Sequence, residues 1–297
     1  MQNTAGRNNE NYARELMELH TLGIDGGYTQ IDVQNLARVL TGVGIYQGTP
    51  PAVRQPLYRQ SGAFEFNPAR HDAAPKVLLG HVMTARGFAE VEEAVDVLVK
   101  QPACARFISR RLALAFVSDA PSAGLVNAMA TKFLKTDGDI GQVVRTMIDS
   151  AEFTNSLGNK FKDPQSFVIS AVRFAYDERP IGNAHPLLNW LGSLGQPLAG
   201  RQTPDGYPLT ESGWSSSGQM SRRFEIARAI GAGGGGLFEP ENGTAPSTTA
   251  FPRLANRLYF ERVEPALSAG TRAVLERANS QVEWNTLLLS SPEFNYR

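Results

Sequence analysis

The segment Arg70-His71-Asp72, followed by Lys76, contains the residue types best suited to chemistry. Histidine is the side chain most ready to act as an acid or a base near neutral pH. An adjacent Asp or Lys could tune the imidazole or bind an anion. Consecutive side chains generally point in different directions, so a network of loop hydrogen bonds is the competing interpretation. We treat His71 and Asp72 as candidate catalytic residues and Lys76 as a candidate binding residue.

A second group of polar residues lies near the start of the chain, at the spacing of one helical face. It consists of Asn11, Arg14, Glu15 and Glu18. Such a face is able to hold an anion through Arg14, or a cation through Glu15 and Glu18. A solvated face, or an Arg–Glu network between helices, explains the same pattern. Asn11, Arg14 and Glu15 are therefore candidate binding residues.

Other local motifs indicate structure rather than ligand binding. Residues 25–36 have Gly27 and Leu36 where a calcium loop requires oxygen ligands, and they predict a turn followed by a helix cap. The glycines of 231–236 match the dinucleotide fingerprint by letter, but a helix precedes them and Pro240 follows. Cys104, the single cysteine, excludes a multi-cysteine zinc site. The sequence leaves any cofactor or metal unknown.

Composition narrows the class of protein without indicating an activity. The chain has 297 residues, of which 42% are hydrophobic, as expected for a globular protein. Lys and Arg number 29 and Asp and Glu number 29, so the formal charge is zero. This balance argues against a nucleic-acid partner. No apolar run of transmembrane length occurs, and the polar start of this chain resembles no signal peptide.

The hydrophobic periodicity predicts an all-α fold, a multi-helix domain that positions these candidates. A helical hairpin is expected over 9–42, with Gly23 ending its first helix and Thr29 and Asp32 forming a capping box at its second. Further helices are predicted over 90–100, 103–117, 122–135, 140–150, 166–176, 187–194, 222–230 and 284–289.

Two long irregular loops, over 43–86 and 195–220, are expected to pack over one face of this fold. At most a minor β-hairpin is expected, with 64–66 and 77–79 as its strands. The predicted domain organisation has a main helical domain over 1–230, a Gly-rich flexible linker over 231–250, and C-terminal helices over 251–297 that pack back on the main domain.

Several blocks of the chain resemble one large bacterial family. The first block runs from Asn9 to Gly23 (NENYARELMELHTLG) and continues through 25–33 and 37–42. Further blocks follow in the family order: Phe66 with 70–72, Lys76 and 79–80; 102–108; 195–198 with 204–208; and 291–294. On these residues the chain resembles the family known as domain of unknown function 1800, over nearly its whole length.

The resemblance implies a predominantly helical protein that is exported to the periplasm or the extracellular space. It also implies a sulfatase-like protein, encoded nearby, as a partner, and it implies no established reaction. Family members usually have a long helical segment before the first block. Because that block begins here almost at residue 1, the chain is expected to be a truncated member, a fragment.

Two classes of function remain open from the sequence. The favoured one is a non-enzymatic helical module, in the envelope or outside the cell, that binds a partner protein or a surface polymer. The alternative is a hydrolase-like enzyme of undescribed type that uses His71 and Asp72 with Arg14 and Glu15. An enzyme needs these residues to converge around a cavity, whereas a binding module does not.

Overall fold

The computed structural model describes residues 3–48, 56–177, 179–238 and 251–297. The chain divides into two units, one of Met1–Ala113 with Pro121–Ser150 and one of Leu114–Ala120 with Ala151–Arg297. The domain boundaries expected from the sequence at 230 and 250 stay a prediction. Of the predicted linker, residues 239–250 lie outside the described residues, and Leu237 is fully buried.

The first unit opens with the predicted helical hairpin. Helix α1 (Glu10–Glu15) continues as a π-helical segment (Leu16–Thr21), and α2 is Gln30–Val39. Thr29 and Asp32 form the predicted capping box, because each side chain accepts the other residue's backbone N–H. Gly23 has a φ of +83°, and a Cβ there would lie 3.0 Å from the Phe107 ring. The tight corner therefore requires glycine.

The other helices of the first unit carry the apolar faces that form its core. Helix α2 packs on α3 (Phe88–Val99), and α5 (Ala123–Lys135) packs on α6 (Ile140–Ile148). Caps at Ser122 and Asp139 start α5 and α6, since each side chain accepts a backbone N–H of the first turn. Helix α4 is Pro102–Phe116, and its end belongs to the second unit.

Two small antiparallel sheets lie within the first predicted loop. Strands β1 (Val43–Ile45), β2 (Arg59–Ser61) and β3 (Phe64–Phe66) form one sheet in the order β1-β3-β2. Strands β4 (Val77–Leu78) and β5 (His81–Val82) form the other. The predicted pairing of 64–66 with 77–79 is wrong. Strand β3 pairs instead with β2 across a short turn and with β1, and β4 pairs with β5 across another short turn. A short connection costs less chain entropy than a long one.

The second unit has a hydrophobic core shared by α8 (Pro164–Tyr176), α10 (Ser217–Gly231) and α12 (Gln281–Leu289). Phe167, Ile226 and Leu288 are among its fully buried members, and Phe294 joins them from the last turn of the chain. The C-terminal helices therefore pack on the same core as the earlier ones. The second unit also contains α7 (Ala151–Ser156), α9 (His185–Ser193) and α11 (Ala269–Glu276).

The predicted fold class is confirmed: the protein is mostly helical, with two small sheets. Within the described ranges, no helix combines the length and the apolar composition that a bilayer crossing requires.

Candidate functional site

His71 lies in a buried polar cluster rather than at a surface. Its Nδ1 lies 2.9 Å from the carbonyl oxygen of Thr41, and its Nε2 lies 2.8 Å from Oε2 of Glu90. Lys76 donates from Nζ to both oxygens of the same carboxylate, at 3.0 and 2.9 Å. The side chains of His71, Glu90 and Lys76 are 5, 4 and 0% exposed. We call these three residues the buried triad.

Asp72 turns away from His71 and pairs with a different element. Its carboxylate accepts a hydrogen bond from Arg38 Nε of α2 at 2.8 Å and another from the backbone of Ala74. The hydrogen bond from Arg38 lowers the pKa of Asp72. The adjacent His71 and Asp72 therefore belong to two separate interactions, and Asp72 does not orient the imidazole.

Glu90 is the member of the triad that the sequence analysis missed. It occupies the first turn of α3, and with Ala94 and Leu98 it forms a buried stripe at a spacing of four residues. A carboxylate in an otherwise apolar stripe must find a partner, because an isolated buried charge is costly. The acidic residue at an otherwise apolar position of the helix was therefore the sequence signal that could have identified Glu90.

The candidate residues of α1 form their own surface network. Asn11 donates to Glu15 at 2.7 Å, and Arg14 donates to Gln30 of α2 at 2.6 Å. Arg14 also lies 3.7 Å from Glu18. Asn11 is exposed, and Arg14 and Glu15 are half-buried. The hydrogen bonds and ion pairs of the described residues do not join this set to His71, Asp72 or Lys76.

A groove in the first unit, which the sequence analysis did not identify, lies along α4. Ala103, Arg106, Phe107, Arg110 and Arg111 contribute to it and recur at the three- and four-residue spacing of one helical face. Its volume is about 450 Å³. The rest of the lining comes from the end of the first hairpin helix, the following turn and α5: Glu18, Leu19, Leu22, Gly23, Ile24, Asp25 and Val126. We call this the α4 groove.

The opposite face of α4 explains why the arginines lie outward. Cys104, Ala105, Ser109 and Ala113 are at most 2% exposed and small, so this side of the helix packs closely into the unit. Arg106 and Arg110 are exposed, and the guanidinium group of neither has a hydrogen bond or an ion pair in the part of the chain that the structure describes. The groove therefore presents unpaired guanidinium groups to solvent.

The charge of the α4 groove is positive on balance. Three arginines line it against the carboxylates of Glu18 and Asp25, and Glu18 already lies near Arg14. Arg111 has its guanidinium carbon 5.8 Å from the centre of the Phe107 ring. The groove can accept a carboxylate through bidentate hydrogen bonds, which the planar guanidinium favours.

The described residues contain no comparable arrangement that would bind a metal ion. Over residues 3–48, 56–177, 179–238 and 251–297, no group of three or more His, Cys, Asp or Glu side chains lies close enough to share an ion. Cys104 is buried, and burial raises the pKa of its thiol to about 11, which disfavours the reactive thiolate.

Comparison with known proteins gives a family but no characterised relative. No curated protein matches the chain, and no solved structure matches it. A family model described as a protein of unknown function, DUF1800, matches residues 1–296. The blocks of residues that resemble this family therefore belong to a match along the whole sequence, and the chain is a member of the DUF1800 family.

Proposed function

We propose that the protein is a helical binding module that holds an acidic segment of a partner protein in the α4 groove. The observation that carries this proposal is the pair of exposed guanidinium groups, Arg106 and Arg110, which have no acidic partner among the described residues. Arginine is enriched at the centres of protein interfaces because it combines charge, planarity and apolar surface.

The lining favours a protein segment over a surface polymer as the occupant. Apolar side chains such as Leu19, Leu22 and Phe107 lie beside the arginines, and Ile24 is 75% exposed at the edge. Phe107 is the one aromatic ring among the described residues of the lining, so the groove offers a sugar a single flat surface for stacking. A segment that alternates carboxylates with aliphatic side chains would complement both the arginines and this apolar surface.

The alternative enzyme has less support than the binding module. Both ring nitrogens of His71 lie within hydrogen-bond distance of protein oxygens, and its side chain is 5% exposed. A general base must reach the proton that it abstracts, directly or through one water. Asp72 is paired with Arg38, and Arg14 and Glu15 belong to a separate surface network.

The location and the first partner to test come from the family resemblance. We propose that the module acts in the bacterial envelope or outside the cell, as the family resemblance implies. The sulfatase-like protein encoded near family members is the first candidate partner. An acidic, leucine-containing segment on its surface would fit the α4 groove.

Fluorescence anisotropy with a labelled peptide of alternating Glu and Leu tests the groove directly. We expect saturable binding that weakens with added salt, because the contacts are between charges near the surface. The double charge reversal Arg106→Glu/Arg110→Glu is expected to raise the Kd by about tenfold or more. The matched control is Arg145→Glu, an exposed arginine of α6 in the same unit.

The outcomes separate the groove from general attraction to positive charge. Equal losses in the α4 double variant and in Arg145→Glu would contradict the groove as the site. Binding of a matched Lys–Leu peptide with the same Kd would contradict the role of the arginines. For the natural partner, the same variants would be compared in a calorimetric titration against the purified sulfatase-like protein.

A further inference from the structure

A second cavity, confined to the second unit, lies along one face of α8. Ser166, Ile169, Ser170, Arg173, Phe174 and Asp177 line it at the spacing of a single helical stripe. Lys162, Leu258, Phe294 and Arg297 complete the lining. The volume is about 530 Å³, within the usual range of pockets that bind small molecules. We call it the α8 cavity.

Lys162 is the unusual group of this cavity. The residue is only 8% exposed, yet no carboxylate pairs with it in the described part of the chain. Its ammonium donates to the carbonyl oxygen of Phe294 at 2.6 Å and lies 3.9 Å from the centre of that ring. An ammonium has three donors, so this bond leaves donors available. A buried cation without a counter-ion is costly unless a ligand compensates it.

The neighbouring charges add to the positive potential. Arg297 donates to Ser166 at 2.8 Å and to the carbonyl oxygen of Ala115 at 2.9 Å. Arg173 is exposed, and its guanidinium group has no hydrogen bond or ion pair among the described residues. Among the described residues of the lining, Asp177 is the one acidic side chain, and it is exposed. Cations therefore outnumber carboxylates in this described lining.

The carboxylate that follows Lys162 in the sequence is already engaged in the fold. Asp163 caps α8, and its oxygens accept from the backbone and the hydroxyl of Ser166. Burial, then the charges of Arg223 and Arg297, lower the pKa of Lys162 to about 8. The fold thus holds Lys162 in a state that a bound anion would relieve.

The rest of the cavity is apolar. Phe174 and Phe294 are each 7% exposed and border its buried part, whereas Ile169 and Leu258 are 39 and 50% exposed. A ligand that covers these side chains would remove apolar surface from water, with a free-energy gain in proportion to the area.

We propose that the α8 cavity binds a small organic anion with an aliphatic tail, whose acidic head is held by Lys162 beside Arg297 and whose tail lies along Ile169 and Leu258. This site is independent of the α4 groove, since it takes a small molecule and uses residues of the second unit alone. Carboxylate and phosphate heads share the required chemistry, so both are tested.

Isothermal titration calorimetry of the full chain tests the site with octanoate and octyl phosphate as probes. Acetate and inorganic phosphate lack the tail, and octanol lacks the charge. We expect at least one of the charged, tailed probes to bind about tenfold or more tightly than every probe that lacks one of these features. Lys162→Met and Arg297→Gln are each expected to weaken the binding of that probe about tenfold or more, since each removes a cation from the head site.

Two further variants keep the test decisive. Ile169→Asp places a carboxylate on an exposed position of the lining and is expected to abolish binding without disturbing the core. Arg253→Gln removes an exposed arginine of the same unit outside the lining and should leave the Kd unchanged. Failure of both charged, tailed probes to bind, equal binding of octanol, or an equal loss in Arg253→Gln would overturn the proposal.

Discussion

The Lys76 ammonium and the Glu90 carboxylate lie together in the protein interior, where each alone would be strongly destabilising. Glu90 also serves His71, so one carboxylate satisfies two buried side chains. We expect Glu90→Gln to lower the free energy of unfolding by about 3–5 kcal/mol at neutral pH, because the ammonium loses its only counter-charge in the triad. Urea unfolding followed by circular dichroism measures the change.

The neighbouring Glu92 supplies the matched control for this prediction. It is on the same helix, is 57% exposed as a side chain, and lies 3.4 Å from Arg59. Glu92→Gln should change stability by about 0.5 kcal/mol or less, as is usual for surface pairs. The double variant Lys76→Met/Glu90→Gln should be more stable than Glu90→Gln alone. A double variant that is less stable would contradict the stated cause.

At the scale of elements, Glu93 of α3 holds the segment after β5 in place. Its carboxylate accepts from His81 Nε2 at 2.8 Å, from the backbone and hydroxyl of Thr84 at 3.0 and 3.1 Å, and from the backbone of Ala85 at 2.8 Å. Burial opposes ionisation, but these hydrogen bonds outweigh it and lower the pKa of Glu93 to about 2. The ionised side chain therefore links a helix to an irregular segment.

This link predicts a defined dependence of stability on pH. The folded pKa lies below the ordinary value of 4.5, so the unfolded state takes up the proton first as the pH falls. The contribution of Glu93 is complete above about pH 4.5 and disappears as the pH falls through about 2. Its size is at most about 3 kcal/mol, from 1.36 kcal/mol for each unit of pKa.

Glu93→Gln should therefore lose most of its stability deficit, relative to the native chain, between about pH 5 and pH 2. The measurement is chemical unfolding of both proteins at several pH values, with Glu92→Gln as the control on the same helix. A deficit of constant size over this range would show that ionisation of Glu93 does not stabilise the link.

Local signals in the sequence predicted the helices well because each signal acts within a few residues. The Thr29–Asp32 capping box and the stop at Gly23 depend only on neighbouring backbone groups. The short strands carried no persistent alternation, since β3 has both Glu65 and Phe66 buried. Glu65 is buried because Arg70 pairs with it, which no two-residue period would indicate. The hydrophobic pattern of the sequence therefore could not predict which strands pair.

At the scale of the whole molecule, the candidate sites depend on residues that are distant along the chain. Lys162 meets Phe294 in the α8 cavity, and Glu18 and Arg110 line one groove. No helical period brings such residues together, because their proximity follows from the packing of helices. The sequence identified His71 and Lys76, but their burial depends on α3, which begins twelve residues after Lys76. The sequence shows that a histidine and a lysine are present, but it does not show whether their side chains are exposed in the fold.

The division of the lining residues between the two units predicts that the α4 groove and the α8 cavity bind independently. Every residue that lines the groove belongs to the first unit, and every residue that lines the cavity belongs to the second. Sites without shared partners usually have additive free energies, to within about 0.5 kcal/mol. The Kd for the Glu–Leu peptide should therefore stay within about twofold when the α8 cavity is saturated with its anion.

Peptide titrations with and without octanoate, in the native chain and in Lys162→Met, measure this independence. The lysine variant should bind the peptide like the native chain, and Arg106→Glu/Arg110→Glu should bind octanoate like the native chain. A change of about tenfold in the peptide Kd on adding octanoate would mean a coupling free energy of about 1.4 kcal/mol. By thermodynamic reciprocity the peptide would then shift the octanoate Kd by the same factor. Such a result would make the protein a ligand-controlled binding module rather than one with two separate sites.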